Sequence, residues 1–357
     1  MAGVNTTMKL LVMVLALCVC GWGQEQGSLQ ALFDEGHYKR ARAATEARFQ
    51  QTPNDPETLW RMSRVRQLWG NLDEAQKLVE RAVALAPKDA RYHFQLAEVV
   101  GQKAEKASML SQIGLGRQFK KEVDLTLQLD PRHVGAMHDL VMFYVEAPGV
   151  IGGDKNKARA MAKGIAEIDP VVGATAQIDL ARRLKEEPHA EELLRKAVAS
   201  RVDSYDARIN LGTYLANQKN FAEGEREARE AIRLISGRVA GYGLLAAVLV
   251  HQDRWADLDG VLAQSEKAVP DSLAPYYRAA NNCLGRKVEL PRAEGYLRKY
   301  LTMEPEPGSA SMAVAHWRLG LVLEQMGRKA DAVKEVETAV RMDGGLTQAR
   351  ADLKRLR

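Results

Sequence analysis

The stretch Gly36-His37-Tyr38-Lys39-Arg40-Ala41, closed by Pro53, returns 34 residues later as Gly70-Asn71-Leu72-Asp73-Glu74-Ala75, closed by Pro87. Each copy sets a small residue in a turn, a large apolar one after it, Ala inside the helix that follows and Pro beyond its end. The same marks continue downstream. Leu211-Gly212, Phe221, Ala228 and Ala231 form one set, and Leu245-Ala246, Trp255, Leu262 and Ser265 lie a further 34 residues on. The last set is Leu319-Gly320, Leu323, Gly327, Ala332 and Ala339. A fixed period of this length describes two antiparallel helices joined by a tight turn. One such pair cannot bury its own apolar face, so successive pairs must stack. The small residues let neighbouring helices approach, while Leu72, Phe221 and Trp255 fill the wedge between units. Proline past the second helix stops it, as at Pro53, Pro87, Pro131, Pro170, Pro270 and Pro305.

This pattern resembles the tetratricopeptide repeat. The resemblance implies an all-α superhelix, an α-solenoid of about nine helix-turn-helix units over residues 28–345. Terminal prolines spaced wider than the period locate insertions near 101–116 and 147–153, and a further extension at 304–309 precedes the last unit. Pro188 is expected in the first turn of a second helix. Residues 346–357, with Ala349, Leu353 and Leu356, read as a C-terminal cap helix solvating the last apolar face. The run Tyr144 to Lys155, followed by Ala158, looks like a turn extension of some exported bacterial tetratricopeptide proteins, which implies a bacterial envelope context.

The rest of the composition agrees with a helical, globular chain. Of 357 residues, 46% are hydrophobic and 27% charged, enough to bury a core and too apolar for disorder. Net charge is +5, from 51 basic and 46 acidic residues, with both signs interspersed along the length. Nucleic-acid binders cluster their basic residues on one face, so none is expected as a partner. Lys9, the apolar run Leu10–Val19 and the small residues Gly21 and Gly23 read as a secretory signal over residues 1–23; an uncleaved anchor is the alternative. Cys18 and Cys20 end the apolar run and leave a lipoprotein as a further alternative, a weaker one because Leu17 and Val19 are larger than the small residue expected before a lipidated cysteine. The expected location is periplasmic or secreted, without stable membrane insertion after cleavage. Cys283 would then be alone in the mature chain, and its neighbours Ala279, Ala280 and Leu284 mark it as a small buried hydrophobe.

Motifs for chemistry fail on inspection. Gly149 to Lys155 is glycine-rich, but Asp154 stands where a phosphate loop needs Gly, and Asn156 replaces its Ser or Thr. The closest histidines, His133 and His138, are five apart, without zinc-ligand spacing. No cofactor, metal or catalytic residue is expected, and the chain reads as a non-enzyme.

The superhelix instead offers a concave surface lined by the first helix of each unit. By the resemblance, positions five and nine point inward. In this register they include Trp60 with Arg64, Phe94 with Glu98, His138, Tyr277 with Asn281, and Trp317. Residues four apart share a helix face, so each pair makes one step of a groove. Aromatic residues and Arg are the usual hot-spot anchors, which favours Trp60, Arg64, Tyr277 and Asn281. The competing reading has Trp60, Phe94 and Trp317 packed between helices. Family members that grip a peptide C-terminus use a Lys–Asn pair; Tyr277 and Asn281 lack the basic member. Two functions follow: an exported scaffold or assembly factor that binds a protein or peptide partner in the groove, or an accessory subunit or enzyme acting through the inserted loops.

Overall fold

The computed structural model describes residues 29–357; the signal expected over residues 1–23 lies outside the described residues. The described chain is helical throughout, and its helices pair in order. The pairs are α1 (29–35) with α2 (Tyr38–Gln51), α3 (Pro56–Leu68) with α4 (Leu72–Leu85), and α5 (Ala90–Lys106) with α6 (Met109–Leu129). Next come α7 (Val134–Glu146) with α8 (Lys155–Ile168), α9 (Pro170–Leu184) with α10 (Ala190–Ser200), and α11 (Tyr205–Asn217) with α12 (Phe221–Leu234). The array closes with α13 (Val239–His251) and α14 (Trp255–Ala268), α15 (Ala274–Arg286) and α16 (Leu290–Tyr300), α17 (Met312–Gln325) and α18 (Lys329–Met342), then the single helix α19 (Thr347–Leu356). Nine pairs and a cap make the tetratricopeptide superhelix that the period implies. No helix among the described residues is long and apolar enough to cross a membrane.

Local chemistry explains where helices begin. Asp55 caps α3 by accepting from the Thr58 N–H at 2.9 Å, and Pro56 opens its first turn. Asp169 and Pro170 repeat the arrangement at α9. Asp154, in the glycine-rich segment, accepts from the N–H groups of Asn156 and Lys157 at 2.9 and 3.1 Å. It is the N-cap of α8, and its carboxylate would repel a phosphate.

The repeat residues do the packing expected of them. Ala75, Ala228, Ala231, Ala332 and Ala339 are fully buried. The Leu-Gly pair has a steric reason: a Cβ at Gly320 would come 2.4 Å from Val336 Cγ2 across the α17–α18 seam. The cap helix seals the far end, burying Ala349 and Leu356.

The insertions take different forms. The excess near 101–116 is helical apart from the break at Ala107 and Ser108, because α5 runs to 17 residues and α6 to 21. His93 and Glu122, both buried, tie the root of this long hairpin through a 2.7 Å contact. The 147–153 segment holds a 3-10 turn at Gly149–Ile151. Pro188 lies outside its helix: α10 starts at Ala190, behind His189 at φ 42°. The left-handed backbone of His189 turns the chain between the proline and the helix, so the proline stays in the loop.

Candidate functional site

The odd-numbered helices carry the inner face, where the register places two separate basins. The first is built on α3 and α5. Trp60 presents an edge to a cavity of about 510 Å³, shared with Gln30, Arg64, Arg91, Phe94, Glu98 and His133. Trp60 as a whole is 8% exposed, so it is at once core and groove wall. Three guanidinium groups surround it, those of Arg61, Arg64 and Arg91, at 5.2, 5.1 and 5.0 Å from the ring. Glu57 answers two of them, pairing with Arg61 at 2.8 Å and Arg91 at 3.0 Å, and Asp89 adds a 2.6 Å contact to Arg91. Arg64 differs. Its guanidinium lies 4.3 Å from the Phe33 ring and reaches Gln30 Oε1 only at 3.4 Å. Among the described residues no carboxylate lies within 4 Å of it. Burial pulls its pKa below the ordinary arginine value, as it does for Arg61, while the charges of Glu98 and Asp34 act in the opposite direction.

The groove continues into a cavity of about 600 Å³ that Phe94 and Glu98 share with His138, Asp139, Thr175 and Asn210. Phe94 packs its ring 4.4 Å from that of His133. Burial first, and then the charge of Asp139, push the Glu98 carboxyl up to about 7, against the pull of Arg64. His138 goes up as well, to about 9, because Asp139 and Asp179 flank its imidazole. They stand at 3.7 and 3.8 Å, ion-pair rather than hydrogen-bond distances, and Nε2 is buried without a hydrogen-bond partner. Arg64, Glu98, Asp139, His138 and Asp179 thus form a line of charge down the inner face.

The second basin, about 500 Å³, brings Tyr277 and Asn281 of α15 together with Ile209, Thr213, Gly243 and Ala247. Its wall is completed by Gly308, Ser309 and Ala310, from the segment joining α16 to α17. Tyr300 holds that segment by donating its hydroxyl to Ala310 O at 2.5 Å, and the Tyr277 ring lies 5.3 Å from that of Tyr300. Trp317 belongs to neither basin. It is 7% exposed, and its indole Nε1 donates to Asp352 Oδ2 of α19 at 2.9 Å, beneath the cap helix.

Sequence reasoning missed the Arg61–Arg91 clasp on Trp60, the Asp139 and Asp179 flanks of His138, and the 308–310 wall. A spacing of 31 between Trp60 and Arg91 carries no signal of its own. Cys283 is fully buried, and burial pushes its thiol up to about 11, so the nucleophilic thiolate is suppressed at neutral pH.

Two family models match the sequence. Residues 28–148 are similar to the family described as regulator of microtubule dynamics protein 1-3, and residues 313–345 to a tetratricopeptide repeat. No curated protein matches. Among solved structures, yeast Tom70 is similar at 12% identity over 93% of this chain and 87% of that one, with a TM-score of 0.47. The Cut9–Hcn1 hetero-tetramer of APC/C is similar at 11% identity over 96% and 82%, TM-score 0.44. Pseudomonas aeruginosa PilF is similar at 18% identity over 62% and 97%, TM-score 0.40.

Proposed function

We propose that this chain is a non-catalytic scaffold of the cell envelope that holds a segment of a protein partner along its inner groove. The observation that carries the reading is Arg64: a guanidinium drawn into the groove, laid against Trp60 and Phe33, with no carboxylate within ion-pair distance among the described residues. An acidic side chain of the partner supplies that charge, and a charge-assisted hydrogen bond is about twice as strong as a neutral one. Tyr277 and Asn281 then take an apolar and amide-bearing stretch further along. The two basins suit an extended segment that touches both.

The experiment uses the chain from residue 24, offered as bait to an envelope extract and then to the purified partner. Arg64→Ala and Tyr277→Ala should each weaken capture by about 2 kcal/mol, as truncated hot-spot residues do, which is more than tenfold in Kd. Melting temperatures are measured alongside, since Arg64 also packs on Phe33. Binding by both variants at the wild-type level, with loss instead on changing charges of the outer helices, would remove the groove from the reading.

Export rests on Lys9, the apolar run Leu10–Val19 and the small residues Gly21 and Gly23. Fractionation of cells making the full chain should find it in the periplasm or medium with an N-terminus near Gln24. A full-length protein retained in the cytosol would refute this.

A further inference from the structure

The first unit of the array touches the last ones. The turn between α1 and α2 meets two loops more than 230 residues further along the chain. His37, 4% exposed, places Nδ1 2.9 and 3.1 Å from the two carboxylate oxygens of Asp271, in the loop between α14 and α15. The Lys39 N–H donates to Glu306 Oε2 at 2.9 Å, and Lys39 Nζ donates to Glu304 O at 2.6 Å. Glu35 backs onto Gly237, where a Cβ would come within 3.2 Å of its carboxylate. Solenoid units contact only their sequence neighbours, so a contact across this separation means that the superhelix has come full circle.

The segment from 304 to 310 has two faces. One grips Lys39 through Glu304 and Glu306. The other, Gly308 to Ala310, walls the C-terminal basin beside Tyr277. Whatever moves this strap changes both the ring and the basin.

We propose that the array is a gated ring, in which the Lys39–Glu306 and His37–Asp271 clasp holds the strap across the groove and admits an extended polypeptide while excluding a folded one. The clasp is made of hydrogen bonds between turns and one helix end, so it opens without unmaking any helix pair. It is also poised rather than locked. Glu306 is 6% exposed, and its second oxygen, Oε1, is buried without a hydrogen-bond partner. Burial raises its carboxyl above the ordinary range, with Asp271 adding repulsion against the pull of the Lys39 N–H. Closing the ring therefore works against the desolvation of a carboxylate. Glu306→Gln keeps an acceptor for the Lys39 N–H and removes the charge, so it tightens the clasp.

The test needs no partner and is therefore decided separately from groove binding. In the full chain with Cys18 and Cys20 changed to Ser, Thr213→Cys puts a reactive thiol in the C-terminal basin, and Ala222→Cys puts one on the outer helix α12. Cys283 stays, buried and protonated. Two maleimides are compared, one on a short unstructured peptide and one on folded ubiquitin, each scaled to its rate at position 222. At position 213 the peptide reagent should react freely and the ubiquitin reagent about tenfold more slowly, as for a ring open about a tenth of the time. Asp271→Lys with Glu306→Lys should abolish the difference, with helicity unchanged by circular dichroism. Glu306→Gln should preserve or widen it, a result available even if the double variant fails to fold. Equal rates for both reagents in the unbroken ring, persistence of the gap in a folded double variant, or narrowing by Glu306→Gln would each overturn the gate.

Discussion

Gly173→Ala should destabilise the array by about 3 kcal/mol, at the upper end of what overpacking costs, although alanine is the better helix former. Gly173 lies in α9 against α8, where an added Cβ would sit 2.3 Å from Ala166 Cα, 2.5 Å from its Cβ and 2.6 Å from its N. Two of those three atoms are backbone, so no rotamer change relieves the clash, and the helices must separate. Gly295→Ala is the control. Gly295 is exposed on α16 with nothing within 4 Å of the added methyl, so helix propensity acts alone and the variant gains up to about 1 kcal/mol. Thermal unfolding distinguishes them: a loss of about 3 kcal/mol lowers Tm by roughly 4 °C in a protein of this size. Because each unit is held mainly by its neighbours, opening the α8–α9 seam should also split one transition into two. A Gly173→Ala protein that melts with wild type would mean that the seam is looser than 2.3 Å implies.

How much of this was legible depends on distance along the chain. The 34-residue period is a local signal, and Leu319-Gly320 with Ala332 and Ala339 revealed both the helix pair and its close seam. Positions five and nine share a helix face, and the structure sets Trp60, Arg64, Phe94 and Glu98 on one cavity, with Phe94 and Glu98 also on the next beside His138. The excess near 101–116 was harder, because Gly101, Gly114 and Gly116 suggest a loop, yet paired helices carry them through. Trp317 satisfied the inward register, and then the cap helix covered it, an event outside the repeat. Pairings between units were invisible. Nothing in the sequence couples His37 to Asp271 across 234 residues, or Lys39 to Glu306 across 267. Such contacts depend on superhelical curvature, the sum of small rotations that no single unit encodes.

From pH 6 to pH 9 the fold should lose roughly 2 kcal/mol, and most of that loss should disappear in His138→Gln. The sign follows from the direction of the shifts. His138 is raised from 6.5 to about 9, so the folded state holds its proton more tightly than the unfolded chain does. Its stabilisation is complete below pH 6.5 and fades as pH rises through about 9. Glu98 moves the same way, from 4.5 to about 7, so its contribution fades between those values. The two windows run one after the other, giving a long decline from mildly acidic to alkaline pH. A shift of this size is worth at most about 3 kcal/mol, and a side chain one-quarter exposed keeps less after solvent screening. Below the ordinary carboxylate range the opposite term takes over. Glu324, paired with Arg355, and Asp253, paired with Arg286, are held below their usual values, so their support is lost as pH falls. Maximal stability should therefore lie near pH 5. The measurement is the urea midpoint of wild type, His138→Gln and Glu98→Gln at pH 5, 7 and 9. His138→Gln leaves Asp139 and Asp179 without their cation, so it should be weakest against wild type at pH 5 and converge with it by pH 9. Glu98→Gln should gain on wild type between pH 5 and 7, where burying the ionised carboxylate begins to cost. A constant gap between wild type and His138→Gln at all three pH values would show that Asp139 and Asp179 do not hold the imidazole in its charged form.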